Sequence, residues 1–276
     1  MIHLTYTGSC TLDNQVIMCS NMNATLDQKV IFFDHIVGLR DVLGVDTKGP
    51  GGTGDNTQKR TYRYSPALAR ASISGPVPAE NFQTILDKAI KGDEIELNLV
   101  FYKQNAPAIK IGKAIISGLT IDLKAGDVAT FSLDITGAEY EESRSTSVIA
   151  DCAKLVTWDQ CIVEATPVEN DISSFSITIN NPPIPIYTNR WSPSSDASNG
   201  MMPQKIRIGM QEVTGTIGVY GSPSIAVPSK GTVTFNINGD GKTLYAVFTQ
   251  PKDDASTGPY MRTITFNGVH DGTIWS

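Results

Sequence analysis

Charge is scarce in this chain of 276 residues: only 18% of positions are Asp, Glu, Lys or Arg, against about 25% in ordinary globular proteins. Ser, Thr, Asn and Gly take its place, giving a polar, weakly charged surface suited to extensive contact with neighbours. The net charge of −6 argues against a dedicated nucleic-acid binder, which carries a basic stripe. It leaves room for a protein that nucleic acid merely passes, because phosphate-gripping Lys and Arg would hinder transit. Long apolar runs are missing too. Val30-Ile31-Phe32-Phe33 is among the longest and is far too short to span a bilayer. Met1-Ile2-His3-Leu4-Thr5-Tyr6 lacks a basic stretch followed by an apolar run, so the expectation is a soluble chain made in the cytosol with no membrane partner.

Cysteine and histidine are equally sparse. Four cysteines are too few for a disulfide scaffold at this size. Cys10/Cys19 and Cys152/Cys161 lack Cys-x-x-Cys spacing, and none of His3, His35 and His270 lies beside them, so no metal site is expected. Buried thiols behaving as small apolar residues are the expected state, with oxidation across a hairpin as the alternative. No histidine neighbours a Ser or Cys in a nucleophile motif, and no carboxylate spacing singles out an acid/base pair. The chain therefore reads as a non-enzyme with no catalytic residue and no cofactor. Two partial motifs fail on inspection. Lys48-Gly49-Pro50-Gly51-Gly52-Thr53-Gly54 has no Gly-Lys-Ser/Thr ending and feeds no helix, so it reads as a loop rather than a phosphate cradle. Asn236, Asn238, Asp240 and Gly241 mimic the start of a calcium loop, but Val247 stands where a bidentate glutamate is required.

What is present is repetition. The two cysteine pairs stand at an offset of 142 (10 to 152, 19 to 161), and Arg63 and Ile73 recur as Arg207 and Ile217 at an offset of 144. Each half also carries a long Gly- or Ser-rich segment, 46–62 and 188–205. Near-constant offsets over unlike landmarks indicate duplication, with 276 residues sufficing for two domains. The expected division is 1–142 and 148–276, joined by a polar linker at 139–147.

Strand signals dominate both halves. Apolar Ile95, Leu97 and Leu99 alternate with Glu94, Glu96 and Asn98, while Phe131, Leu133 and Ile135 alternate with Thr130, Ser132 and Asp134. Phe175, Ile177 and Ile179 alternate with Ser174, Ser176 and Thr178, and Val233, Phe235 and Ile237 with Thr232, Thr234 and Asn236. Period-two alternation gives each strand one buried and one wet face. Asn238-Gly239-Asp240-Gly241 predicts a tight hairpin turn. One amphipathic helix is expected over about 78–91, with Pro78 at its start, Gly92 past its end and Phe82, Ile85, Leu86, Ala89 and Ile90 on one face. No counterpart is evident in the second half, where Pro223, Pro228 and Gly231 stand. Of the tryptophans, Trp158 sits in an apolar run and reads as core. Trp191, between Arg190 and Pro193 in the second long segment, reads as an interface anchor. Trp275 is nearly terminal and reads as docking on a neighbour or disordered.

With these residues laid out, the chain resembles the tail tube proteins of tailed bacteriophages. The resemblance is clearest over 163–220, where Asp171-Ile172-Ser173-Ser174-Phe175-Ser176-Ile177-Thr178-Ile179-Asn180-Asn181 leads into a long loop and then Gly209-Met210-Gln211-Glu212-Val213-Thr214-Gly215-Thr216-Ile217. Phe32-Phe33-Asp34-His35 and Ala125-Gly126-Asp127-Val128 in the first half look like a relative of the same unit. The resemblance implies a mainly β protein of two tandem tube-type β-sandwich or half-barrel domains with one flanking helix. It further implies rings around a channel through which DNA passes, built as a homo-trimer imitating a hexamer or as a hexamer, stacked into a tube in the virion tail after assembly in the host cytoplasm. Expected partners are the chain itself and other tail proteins such as sheath, baseplate or terminator; DNA is met only in transit. Ring-to-ring contacts are expected from Lys48, Gly51, Gly54, Lys59, Arg60, Arg190, Trp191 and Met201. The channel-facing set is expected to be Glu94, Glu96, Asn98, Thr130, Ser132, Asp134, Ser174, Ser176 and Thr178. The alternatives are a baseplate hub or adaptor ring and, in another class, a carbohydrate-binding adhesion module built on Trp191.

Overall fold

A computed structural model describes residues 8–13, 15–27, 30–33, 61–64, 67–101, 107–144, 154–168, 171–187, 202–221, 228–249, 252–254, 260–269 and 275. The first half supplies β1 (Gly8–Leu12), β2 (Gln15–Cys19), β3 (Asn21–Asp27), β4 (Val30–Phe33), β5 (Thr61–Tyr64), β6 (Leu68–Pro76), helix α1 (Phe82–Lys91), β7 (Ile95–Phe101), β8 (Pro107–Lys124) and β9 (Thr130–Arg144). After a 3-10 turn at Trp158–Gln160, the second half supplies β10 (Cys161–Thr166), β11 (Ile172–Asn180), β12 (Pro183–Ile186), β13 (Lys205–Ile208), β14 (Glu212–Tyr220), β15 (Ser229–Ile237), β16 (Asp240–Phe248), β17 (Lys252–Asp254) and β18 (Met261–Gly268). The protein is mainly β, as the alternation predicts. All four alternating segments are strands, and Asn238 and Gly239, both at positive φ, make the turn between β15 and β16.

The strand order repeats. In the first half neighbours run β3-β6-β9-β8-β7-β1; in the second they run β11-β14-β18-β16-β15-β10. Each half also carries a separate two-stranded ribbon, β4-β5 and β12-β13. The registers repeat as well. Asn21 faces Ser74 and Ile31 faces Arg63 in the first half; Ser174 faces Gly218 and Ile184 faces Arg207 in the second. One offset of 153 (21 to 174, 31 to 184) and one of 144 (74 to 218, 63 to 207) therefore carry two ladders of one half onto the other. Further on, Gly137 pairs Ala114 as Gly268 pairs Ala246.

The two ladders are joined edge to edge. The outer half of β8, Gly118–Lys124, pairs antiparallel with β11, from Thr178↔Thr120 to Ser174↔Lys124. The inner faces of both ladders close on one core cluster that includes Leu119, Ile121, Leu133, Phe175, Ile177, Phe235 and Phe266. Phe175 packs against Phe235 and Phe266 at centroid distances of 5.5 and 6.1 Å. Helix α1 turns Phe82, Ile85, Leu86 and Ala89 into that core. Its last turn is held by the second half: Asn181 Nδ2 donates to Ala89 O (2.7 Å) and Ile116 O (3.0 Å), Gln211 Nε2 donates to Ile90 O (3.0 Å) and to Asn181 Oδ1 (2.8 Å).

Several expectations need correction. The helix begins at Phe82, not Pro78, because Pro78 is held in a bridge with Leu155 and Asn81 takes a positive φ. Residues 139–144 of the expected linker are the end of β9, laddered onto Pro107–Gly112. Their polarity reflects a strand end running beyond the core, with Glu139, Glu141, Glu142 and Ser143 exposed; 145–147 lie outside the described residues. The cysteine offset misaligns the halves: Cys161 lies in β10, which pairs with β15 as β1 pairs with β7, whereas Cys19 lies in β2. Trp275 docks on its own chain, its indole N–H donating to Gln211 Oε1 at 2.9 Å and its ring set edge-on to Phe235. Trp158, on the 3-10 turn, is half-buried and packs against the core. Among the described residues the second half has no helix matching α1; 222–227 lie outside them.

Candidate functional site

Alternation leaves a continuous polar face on the side of the joined ladders away from the core. A cross-strand row runs Asn267, Thr214, Thr178, Thr120, Ser132, Ser74, Asn21 over β18, β14, β11, β8, β9, β6 and β3. The row beside it runs Glu212, Asn180, Gly118, Asp134, Ser72, Asn23. The surface is concave, with a hollow of about 630 Å³ whose lining includes Asn23, Ser72, Thr120, Asp134, Thr178 and Thr214. Hydroxyls on it satisfy one another and the backbone. Thr120 Oγ1 and Thr178 Oγ1 share a 3.0 Å hydrogen bond across the junction of the two halves, and Thr136 Oγ1 donates to Ser117 Oγ at 3.2 Å. Its charges are few and mostly acidic; Arg70 is drawn to Asp27 at 3.7 Å. Such a face is wide, wet and short of cations, so it offers a polyanion little to grip.

The β12-β13 ribbon bounds the floor at one side. Ile206 and Ile208 of β13 pack over Ile115, Ala138 and Leu68, covering apolar residues that would otherwise break the polar surface. The Gly-x-x-Glu-Val-Thr-Gly motif enters here. Gly209 N–H donates to Pro182 O at 2.7 Å, and Gln211 braces α1. Gly215 lies under the Phe266 ring, where a Cβ would collide with that ring and with the Ser176 carbonyl.

Six of the expected channel-facing residues, Thr130, Ser132, Asp134, Ser174, Ser176 and Thr178, fall on adjoining strands of this floor. Glu94, Glu96 and Asn98 do not join them, because β7 borders only the other half of β8, Ala108–Ala114. There Glu96 pairs with Lys110 at 2.8 Å and accepts from Asn98 Nδ2 at 3.4 Å. The Lys110 hydrogen bond holds the Glu96 carboxyl below its usual range and raises the lysine. Sequence reading passed over Asn21, Asn23, Thr25, Thr120, Thr214 and Asn267, although 21–27 alternates as plainly as the segments used. The eight expected ring-to-ring residues, Lys48, Gly51, Gly54, Lys59, Arg60, Arg190, Trp191 and Met201, lie outside the described residues, and with Trp191 goes any geometry for a carbohydrate site.

Cys10 and Cys19 are buried free thiols with sulfurs 3.5 Å apart; the hydrogen bond from Cys19 and burial push the Cys10 thiol well up. Burial likewise pushes Cys161 to about 11, so neither is set up as a nucleophile. Among the described residues no group of His, Cys, Asp and Glu is arranged to hold a metal ion.

A search among curated proteins found no match. A family model described as phage tail tube protein matches residues 39–269, a span that takes in most of both ladders. The chain belongs to the phage tail tube protein family, and is a structural component of the virion tail that assembles with itself and with other tail proteins.

Proposed function

We propose that this chain is the repeating subunit of a tail tube, with the seven-strand polar floor lining a channel through which DNA passes. The observation that carries this reading is the β8-β11 pairing: it sets the two ladders side by side in one sheet with their wet faces on the same side. The halves are then two quasi-equivalent tube domains, 1–142 and 148–276. Three chains supply the six units of a ring, a homo-trimer imitating a hexamer. Rings stack through the long segments 46–62 and 188–205, which run into β5 and β13 of the equivalent ribbons β4-β5 and β12-β13. Sheath, baseplate and terminator proteins meet the assembled tube, which forms in the host cytoplasm.

One observation favours a second reading, a baseplate hub or adaptor ring. The halves differ, with α1 in the first alone among the described residues, and a terminal ring has two unlike faces. Negative-stain imaging of the purified protein separates the readings. Long filaments with an axial channel support the tube, single closed rings support the hub, and monomers at all concentrations contradict both. Deleting 46–60 or 188–201 is expected to leave folded rings that no longer stack; tubes of normal length from either deletion would remove that assignment.

A further inference from the structure

The repeated register shows which strand positions are filled in one half and unfilled in the other among the described residues. In the first half, residues 120–122 of β8 lie between β9 and β11. On one side they face Ser132, Phe131 and Thr130, and on the other Thr178, Ile177 and Ser176. In the second half the same position is held by β17, whose Lys252, Asp253 and Asp254 face Thr263, Arg262 and Met261 of β18. β18 aligns with β9 through their shared partners, since Ile73 faces Leu133 as Ile217 faces Ile264. β17 is therefore the counterpart of the outer half of β8. Yet where β8 receives β11, β17 receives no strand among the described residues.

The counterpart of β11 is β3, and its outer edge is likewise unpaired among the described residues. Burial shows what that costs. Phe175, Ile177 and Ile179 of β11 are buried, whereas the equivalent Met22, Ala24 and Leu26 of β3 are only half-buried. A seven-residue strand with regular alternation, no proline and an open edge invites another strand. Of the strands with a single partner among the described residues, β3 and β17 are the two that end the polar floor, and a head-to-tail contact between unlike surfaces closes into a ring when the rotation permits.

We propose that β3 of one copy pairs antiparallel with β17 of the next, in the register Asn23↔Asp254, Ala24↔Asp253 and Thr25↔Lys252. The register is that of Ser176↔Asp122, Ile177↔Ile121 and Thr178↔Thr120, carried over by the internal repeat. It puts Lys252 directly opposite Thr25 and diagonal to Asp27, within reach of a cross-strand ion pair. The contact rests on the ring reading above and specifies it: each ring alternates the β8-β11 junction within a chain with the β3-β17 junction between chains.

Paired cysteines test the register. Asn23→Cys with Asp254→Cys, and independently Thr25→Cys with Lys252→Cys, place thiols at directly opposed positions, close enough for a disulfide. Under mild oxidation both double variants should yield covalent multimers on a denaturing gel several-fold above the single variants. The pair Asn23→Cys with Lys252→Cys, two residues out of register, should not. Rings that form without in-register cross-linking, or that cross-link equally out of register, overturn the strand pairing and leave the ring reading standing. A chain that stays monomeric and uncross-linked overturns both.

Discussion

β3 and β11 hold equivalent places in the two halves, with the same register to the next strand, and they differ in what lies on their other edge. β11 meets β8 of its own chain; β3 meets no strand among the described residues. The side chains follow. β11 seals Phe175, Ile177 and Ile179 and keeps Ser174, Ser176 and Thr178 on the wet face, while β3 carries the smaller or more flexible Met22, Ala24 and Leu26, half-open. A strand permanently covered can carry a phenylalanine. One that must exist uncovered before assembly does better with less apolar bulk, because exposed apolar edges aggregate. Duplication has thus left one junction built in and, on the proposed β3-β17 pairing, a second to be made between molecules.

The comparison is broken most directly at Phe175. Phe175→Ala empties a fully buried site packed by two other rings and should cost about 3–5 kcal/mol in denaturant unfolding. Met22→Ala at the equivalent position should cost well under half as much in the unassembled chain. Equal losses at the two sites would mean that β3 is not an open edge.

Next in size is the brace between the halves. Asn181→Ala removes the donor that the Ala89 and Ile116 carbonyls share and one acceptor of the Gln211 amide, which keeps its bond to Ile90 O, with an expected loss of roughly 2–3 kcal/mol. The loss should appear as reduced protection of the α1 C-terminal turn in hydrogen exchange. A change confined to β14 would relocate the brace.

Smaller in stability and larger in function is the floor. Thr178→Lys and Thr120→Lys place a cation on a half-exposed face and should cost about 1 kcal/mol each, through the hydrogen bond the two hydroxyls share. Each should add salt-sensitive DNA affinity to assembled tubes, with a steeper salt slope for the double variant. Unchanged affinity would take this face out of the channel. The smallest effect is expected at Lys110→Gln, which removes the exposed partner of Glu96. Exposed pairs contribute little, so the denaturation midpoint should not move. The Glu96 carboxyl should titrate nearer its ordinary range, since the hydrogen bond that lowers it is gone.

Much of this was legible in residue patterns that depend on local periodicity. The alternation at 95–99, 129–135, 174–180 and 232–238, the Asn238-Gly239 turn and the apolar stripe of α1 all became the elements they predicted. The Arg63/Arg207 and Ile73/Ile217 recurrences mark true equivalents, since each sits at a matched register position. The cysteine offset misled because Cys161 lies in β10, the counterpart of β1, while Cys19 lies in β2: identical residue types recur at inequivalent positions. The end of β9 read as linker because a strand that outruns its core shows no apolar face; only backbone pairing with β8 reveals it. The β8-β11 junction is a contact between distant segments, and no local pattern encodes which open edge another strand will choose. Trp275 was illegible for the same reason: its hydrogen-bond partner, Gln211, is far away in sequence.

The most direct measurement is the native mass of the smallest closed ring, taken together with its rotationally averaged image. Three chains of 29.7 kDa in a ring with six similar lobes is the predicted result, because both ladders of every chain then line the channel. A ring of six chains with six inner lobes would contradict it, since half of each chain would then stand away from the channel and the built-in β8-β11 junction would have no counterpart between molecules.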